Sequence, residues 1–492
     1  MKKKPVELAY LLGLAWLYMP IALFLILWIR WFIAIPVLVL SIIAIVLFFR
    51  KHKIAPVKIT KKFAIFAVIS LAIITAWCAV CGVGGFFEQA YDWKKHNVLL
   101  SSMSEKPWPV RYDFGSDQGV LSYYIGGYLV PAFFGKFLGF GAAQVVMLIW
   151  FSFGLFIAML IIYKLFGKNK PASMLLIVAS MVLFATFMSP LAGIYRYWFP
   201  YKDGTMGIAG VGSHWFSEDL RVQYSANSIA MSFVAPQIVA SFVAVALFLS
   251  RRRQYGSWIL IAAPLILHST FVFLGIGMVM VFAFLFDLVS AKGERKELWK
   301  SIITLRNITA AIIAVILVGY IACNLLQPKP ESAKMGLELL NYGGRKWAFV
   351  FIHASWIIWM LLLRRKERKN TTLLSAAICL AIFPFIIMGM YNDLCMRASL
   401  PALNIFCFIV AKNLIEEWKR DKFYTHVLLG CLIFVSLSSF GEVMMRVKHT
   451  FEGEVPDYKN IDSAVFLQSE DFVKYQYIDW SNSKLSKFLL QD

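Results

Sequence analysis

The chain alternates long apolar runs with short polar breaks, and the runs are continuous rather than alternating residue by residue. Runs of about 20 apolar residues suit a membrane-spanning helix, and their continuity excludes a transmembrane β-barrel. Leu8–Trp28 and Phe32–Phe49 are predicted as a helical hairpin turning at Ile29-Arg30-Trp31. Arg50 to Lys62 is basic and holds no acid, so the positive-inside rule puts it in the cytoplasm. Phe63–Gly82 then crosses outward and delivers the polar stretch Phe87–Asn97, FEQAYDWKKHN, to the outer face.

The run Leu121–Gly141 contains Gly126, Gly127 and Pro131. As a straight span it would put Lys164, Lys168 and Lys170 outside, against the charge rule, so it is predicted to lie in the membrane interface. Ala142–Phe166 crosses inward, Ser173–Leu191 outward, and Tyr195–Ala226 forms a second outer loop. Asn227–Leu249 returns to Arg251-Arg252-Arg253, and Trp258–Ser290 is too long for one span, predicting two short helices bent near His268-Ser269-Thr270. Ile308–Leu326, Trp347–Leu363, Leu373–Met390, Leu400–Ile415 and Val427–Phe440 follow, leaving Glu442–Asp492 as an outer tail.

The expected fold is therefore an all-α polytopic membrane protein of about 13 transmembrane helices, with the N-terminus cytoplasmic and the C-terminus extracytoplasmic. Its parts are an N-terminal hairpin with a basic loop (1–62), a central module (63–290) with outer loops 83–141 and 191–226, further helices (291–441) and the tail (442–492). No inverted repeat of the transporter kind is visible. Met1-Lys-Lys-Lys ahead of a long span reads as an uncleaved first helix.

Composition agrees: 60% of residues are hydrophobic and 16% charged, against about 25% charged in soluble domains. The net charge of +21 comes in clusters between apolar runs, so topology accounts for it and no nucleic acid is needed as a partner. The lipid bilayer is the expected environment, with anionic head groups as further candidates. Lys-, Ile- and Phe-rich composition with short loops suggests a bacterial inner membrane. Cys78-x-x-Cys81 lies too deep in an apolar run for a zinc or redox site.

Candidate chemistry begins with Glu88 and Asp92, whose i,i+4 spacing would put both acids on one face of a helical turn. Either could accept a proton from an attacking hydroxyl or hold a divalent cation such as Mg or Mn. An ordinary loop acid paired with Lys94 or Lys95 is the alternative. Arg397, in Tyr391-Asn392-Asp393-Leu394-Cys395-Met396-Arg397, could grip a lipid phosphate with its fork, or close the turn through Asp393, or both. Lys95, His96 and Tyr124 are candidate binding residues beside these, as are Arg221, Arg196 and His214 in the second outer loop. His268 is more simply a packed histidine, and Asp113 and Asp117 turn residues. No Walker loop, zincin motif or nucleophile elbow occurs.

The order of an outward helix, an outer loop opening with Glu88 and Asp92, the helix LSYYIGGYLVPAFFGKFLG and an inward helix ending IIYKLFGKNKPAS resembles the GT-C superfamily of integral-membrane glycosyltransferases. That superfamily includes the protein O-mannosyltransferases and the lipid A aminoarabinose transferase. Leu121-Ser122-Tyr123-Tyr124 and Gly139–Ala142 match its interfacial segment, over residues about 63 to 290. The resemblance implies a sugar donor on a polyprenyl phosphate, an extracytoplasmic glycan, lipid or protein acceptor, Asp92 or Glu88 as base, and Arg397 or Arg221 on the donor phosphate. It implies a role in cell-envelope polysaccharide or glycolipid synthesis. The first loop lacks the family's Asp-Asp or Asp-x-Asp pair, and Gln118-Gly119-Val120 stands where H-P-P is usual. The competing expectations are a transporter or flippase of lipid-linked glycans, which needs charges at mid-membrane depth, and a non-catalytic subunit of an envelope complex.

Overall fold

The computed structural model describes the whole chain except residues 1–2, 57–58, 116, 189, 191–223, 331–335, 342, 344–345, 389–391, 454–462, 470, 482 and 492. Its long helices are α1 (Leu8–Leu27), α2 (Trp31–Lys51), α3 (Lys61–Val80), α4 (Trp93–Glu105), α5 (Gly126–Leu138), α6 (Phe140–Phe166), α7 (Ser173–Leu183), α8 (Asn227–Ser250), α9 (Thr270–Ser290), α10 (Leu305–Leu325), α11 (Lys346–Leu362), α12 (Thr371–Ile382), α13 (Leu400–Glu417) and α14 (Lys422–Glu452). Among the described residues eight helices are long and apolar enough to cross a membrane, or nine if α14, bent by 49°, is one span. Four shorter apolar helices, within 173–183, 255–268, 352–362 and 371–385, accompany them. This is an all-α polytopic membrane protein. Helix α8 and α13 form its centre and are buried along almost their whole length, whereas α2 presents Ile35, Ile42 and Ile45 outward, as a lipid-facing helix does.

The two ends of the bundle are chemically different. At one, strand β1 (Lys4–Val6) pairs in parallel with β2 (His52–Ile54), and the Arg251 guanidinium lies 4.1 Å from the Tyr10 ring centroid. Arg252 meets Asp287 and Arg364 meets Glu417 and Asp421 at this same basic end. At the other, Arg30 donates to the carbonyl of Leu490 and Gln491 to that of Ile29. The first and last described segments thus sit at opposite ends of α1, a helix of 20 residues and about 30 Å.

That second end carries a small folded cap. Strands β3 (Arg111–Phe114) and β4 (Asp117–Leu121) form a hairpin, with Asp113 accepting from the Gly115 amide in its turn, and β7 (Ile478–Asp479) adds to its edge. The C-terminal residues are therefore built into the cap through short helices at Ser463–Leu467, Asp471–Tyr477 and Lys484–Leu489.

Several expectations are met and several corrected. The chain breaks at Ser269, inside the expected bend, but the following helix α9 is full length rather than short. Helix α5 has only 13 residues, about 20 Å, and ends at Gly139 with φ +82°, so it is not a separate span of the ~30 Å apolar layer. Its Phe134, Phe137 and Leu138 remain exposed while Gly126 to Ala132 are buried, which suits a helix lying along an interface. The expected span Leu373–Met390 stops at Ile382; Pro384 follows, and Ile386–Met388 (β6) pairs with Leu337–Leu339 (β5). Glu88 and Asp92 do not share a helical face. Helix α3 ends at Val80, Gly82, Gly84 and Gly85 take φ of +92°, +84° and +68°, and no helix resumes before Trp93. Gly-Val-Gly-Gly was the signal, since only glycine adopts three such angles in four residues at little cost.

Candidate functional site

The site is built on a break in α8. Val234 leaves the helical region (φ −135°, ψ 43°), and Pro236 carries no N–H for the carbonyl of Ser232. The carbonyls released there need other donors because they are buried. Helix α4 supplies them: the Trp93 indole donates to Ser232 at 2.9 Å and His96 Nε2 to Phe233 at 3.0 Å. A proton on Nε2 leaves Nδ1 as acceptor, and the Tyr128 hydroxyl donates to it at 2.5 Å. A buried amide ladder fixes the other side of α4, with Asn97 donating to Gln89 at 2.8 Å and Gln144 to Asn97 at 3.3 Å.

Asp92 stands at the start of α4. Its Oδ2 is 2.5 Å from Lys95 Nζ, while among the described residues Oδ1 accepts no hydrogen bond and about a third of the side chain (31%) is exposed. Burial by the surrounding protein pushes the carboxyl up, but the Lys95 ammonium, then Arg397, outweigh it and hold Asp92 below the usual range. Lys95 itself is pulled down by burial, against the opposing pull of Asp92. His96 is pushed down to about 3 by burial and by Lys95, so it is neutral and already bonded on both nitrogens. It ties α4 to α5 and α8.

Arg397 comes from the opposite part of the chain. Asn392, at φ +51°, caps the turn by accepting from the Cys395 amide at 3.3 Å, and Leu394–Ala398 then forms a π-helix before α13. The wider turn brings Arg397 Nε 3.1 Å from Asp393 Oδ1, and Nη1 donates to the Tyr124 hydroxyl at 2.5 Å. Both partners are almost fully buried. Helix α9 permits this turn because Gly275 lies against it: a Cβ there would be 2.0 Å from the Ala398 carbonyl oxygen. Tyr124 lies tilted against Tyr123 at 3.7 Å between centroids, and Tyr477 from the tail meets Tyr123 edge-on at 4.7 Å. Burial keeps the Tyr124, Tyr128 and Tyr477 phenols protonated.

The expected residues thus divide. Asp92, Lys95, His96, Tyr124, Asp393 and Arg397 converge at the capped end of the bundle. Glu88 does not join them: it pairs with His449 at 3.2 Å and its amide donates to Thr450, so it fastens the segment between α3 and α4 to the end of α14. His268 is packed, stacked on Trp16 and bonded to the Leu17 carbonyl at 3.2 Å. Arg196, His214 and Arg221 lie outside the described residues. Tyr128, Tyr477 and Gln237 were missed. Pro236-Gln237 inside an apolar run was the available signal, since a fully buried amide in such a run needs a polar neighbour, and Gln237 lies by Tyr124.

A divalent cation does not fit this arrangement. Among the described residues no three His, Cys, Asp or Glu side chains converge, and the two central carboxylates each face a side-chain cation, Lys95 or Arg397. What the arrangement offers instead is one open carboxylate oxygen, one buried guanidinium and several buried phenols. No protein-family profile matches the chain, no curated protein matches it and no solved structure matches it.

Proposed function

We propose that this chain is a membrane glycosyltransferase that moves a sugar from a polyprenyl-phosphate donor to an extracytoplasmic acceptor in cell-envelope polysaccharide or glycolipid synthesis. The reading places it in a bacterial inner membrane with the basic end cytoplasmic, as the positive-inside rule requires, and the capped end outside. It counts the four shorter apolar helices as broken passes beside the nine longer ones, and so keeps about 13 passes and a GT-C-like architecture.

One observation carries the reading: the helix that starts at Asp92 is bonded through His96 to Tyr128, one turn beyond the Tyr124 that receives Arg397 Nη1, so acid and guanidinium meet on one short segment although about 300 residues separate them in sequence. An ionised acid with an open oxygen and a buried guanidinium at the same end of the bundle match the two charge changes of the reaction. The acceptor hydroxyl attacks the anomeric carbon and its proton passes to Asp92 Oδ1. The bond between that carbon and the phosphate oxygen breaks, the electron pair stays on the oxygen, and Arg397 stabilises it from a low-dielectric setting. Lys95 holds Asp92 in place, and Tyr124 and Asp393 hold Arg397.

The test is release of polyprenyl phosphate from polyprenyl-phosphate sugars by purified protein. The wild type turns over at least one such donor, and Asp92→Asn lowers the rate about 100-fold or more, the usual share of a general base. Full turnover by Asp92→Asn removes the base assignment. Movement of a lipid-linked glycan across vesicles without any sugar transfer replaces the enzyme by a flippase.

A further inference from the structure

The C-terminal segment does more than cover the bundle. Short helix Asp471–Tyr477 runs into β7, where Leu121 pairs with Ile478 and Val120 with Asp479. The Ser122 amide donates to the Tyr477 carbonyl at 2.9 Å, immediately before the Tyr123-Tyr124 pair. On the other side, α10 and the turn after it clamp the same segment: Asn324 donates to the carbonyls of Tyr475 and Ile478 at 3.1 Å, and Gln327 to that of Ile478 at 2.7 Å. Gly119 lets the strap close, since a Cβ there would meet Ile478 at 2.5 Å and Trp480 at 2.8 Å.

This clamping aims one side chain at the charged cluster. Tyr477 is buried, with its ring against Tyr123, and Tyr123 lies against the Tyr124 that receives Arg397 Nη1. Among the described residues the Tyr477 hydroxyl makes no hydrogen bond, and it is not sealed off as the unpartnered Tyr10 and Tyr112 hydroxyls are. A hydroxyl without a protein partner, in the same tyrosine cluster that receives a guanidinium, is an incomplete site for an anion, because a hydroxyl donor and an arginine fork both match phosphate oxygens.

We propose that the C-terminal strap is a wall of the site and that the Tyr477 hydroxyl donates to the phosphate head of a polyprenyl lipid held at Arg397. The proposal rests on the transferase reading for the identity of the lipid. The strap then contributes affinity for the lipid phosphate, and its tyrosine acts only while β7 is paired to β4.

The experiment titrates polyprenyl phosphate into the purified full chain in detergent micelles, with polyprenol and inorganic phosphate as separate arms and thermal midpoints measured in parallel. Tyr477→Phe keeps the ring and removes the hydroxyl, so its Kd rises about tenfold or more at an unchanged midpoint, the usual effect of losing a hydrogen bond to a charged group. Val465→Ser, on the exposed side of the strap, leaves the Kd unchanged. Polyprenol binds at least tenfold more weakly than its phosphate. A wild-type Kd for Tyr477→Phe, with binding lost in Arg397→Gln, overturns the role of the strap and leaves the transferase reading standing. A wild-type Kd for Arg397→Gln, or no binding by the wild type, overturns both. Saturation by inorganic phosphate at the same concentration overturns the assignment to a lipid.

Discussion

His96 Nε2 donates to the carbonyl of Phe233 at 3.0 Å, filling a gap that the break at Val234 opens in α8. This bond joins the helix that carries Asp92 to the central helix of the bundle. It also fixes the tautomer of His96 and, through Tyr128, the start of α5.

The bond gives the fold an acid sensitivity. The folded state holds His96 down at about 3, while the unfolded chain takes up a proton near 6.5. Above pH 6.5 both states are neutral at this residue and stability is flat with respect to it. As pH falls from about 6.5 toward 3 the unfolded state binds the extra proton, and stability falls by up to about 1.4 kcal/mol per pH unit. Thermal midpoints between pH 7 and 4 will drop more steeply for the wild type than for His96→Gln. Parallel slopes would show that His96 titrates freely.

Asp92 and Lys95 should couple strongly. Asp92→Asn leaves the Lys95 ammonium buried without its partner, a change that costs about 3–5 kcal/mol for buried pairs. Asp92 is partly exposed, so an effect of about 1–3 kcal/mol is expected here. The double variant Asp92→Asn, Lys95→Met recovers much of that stability and none of the activity. A double-mutant cycle with no coupling energy would contradict the pairing.

Arg397→Lys tests geometry apart from charge. Lysine keeps the positive charge but cannot meet Asp393 through Nε and Tyr124 through Nη1 at once. Transfer is expected to fall about 100-fold, as when one electrostatic donor is removed from an active site. Arg397→Lys with wild-type activity would reduce Arg397 to a point charge.

Gly275→Ala should damage the site from a distance. The new Cβ would collide with the Ala398 carbonyl at 2.0 Å, and backbone cannot yield as a side chain does. A cost of about 1–3 kcal/mol or more follows from such overpacking, with loss of transfer. The neighbouring Gly277, with nothing near its Cβ position, tolerates alanine. Equal melting of the two variants would contradict the close approach of α9 to the π turn.

Much of this architecture was legible because it is written in local patterns. Continuous apolar runs and basic clusters mark the helices and the basic end, and Gly-Pro content marks the short α5. Asp92, Asp393 and Arg397 were legible because ionisable groups beside apolar runs are costly unless partnered. Glu88 was misread because the i,i+4 rule was applied to residues 88–92, which follow the glycine turn and lie outside any helix, where it has no meaning. The break at Ser269 announced itself in the length of its run, whereas the one at Val234 was hidden in a run of ordinary length. Tyr477 could not be found locally at all. Its place depends on β7 pairing with a strand more than 350 residues earlier, a relationship that no periodicity encodes.

The most direct test of the central claim is a structure of the full chain with a polyprenyl-phosphate analogue bound. The account predicts the phosphate within hydrogen-bonding distance of the Arg397 guanidinium, about 3 Å, with its anomeric substituent toward Asp92 Oδ1. A phosphate held at the basic end, or bound with the Asp393–Arg397–Tyr124 group unchanged and remote from it, would contradict the account.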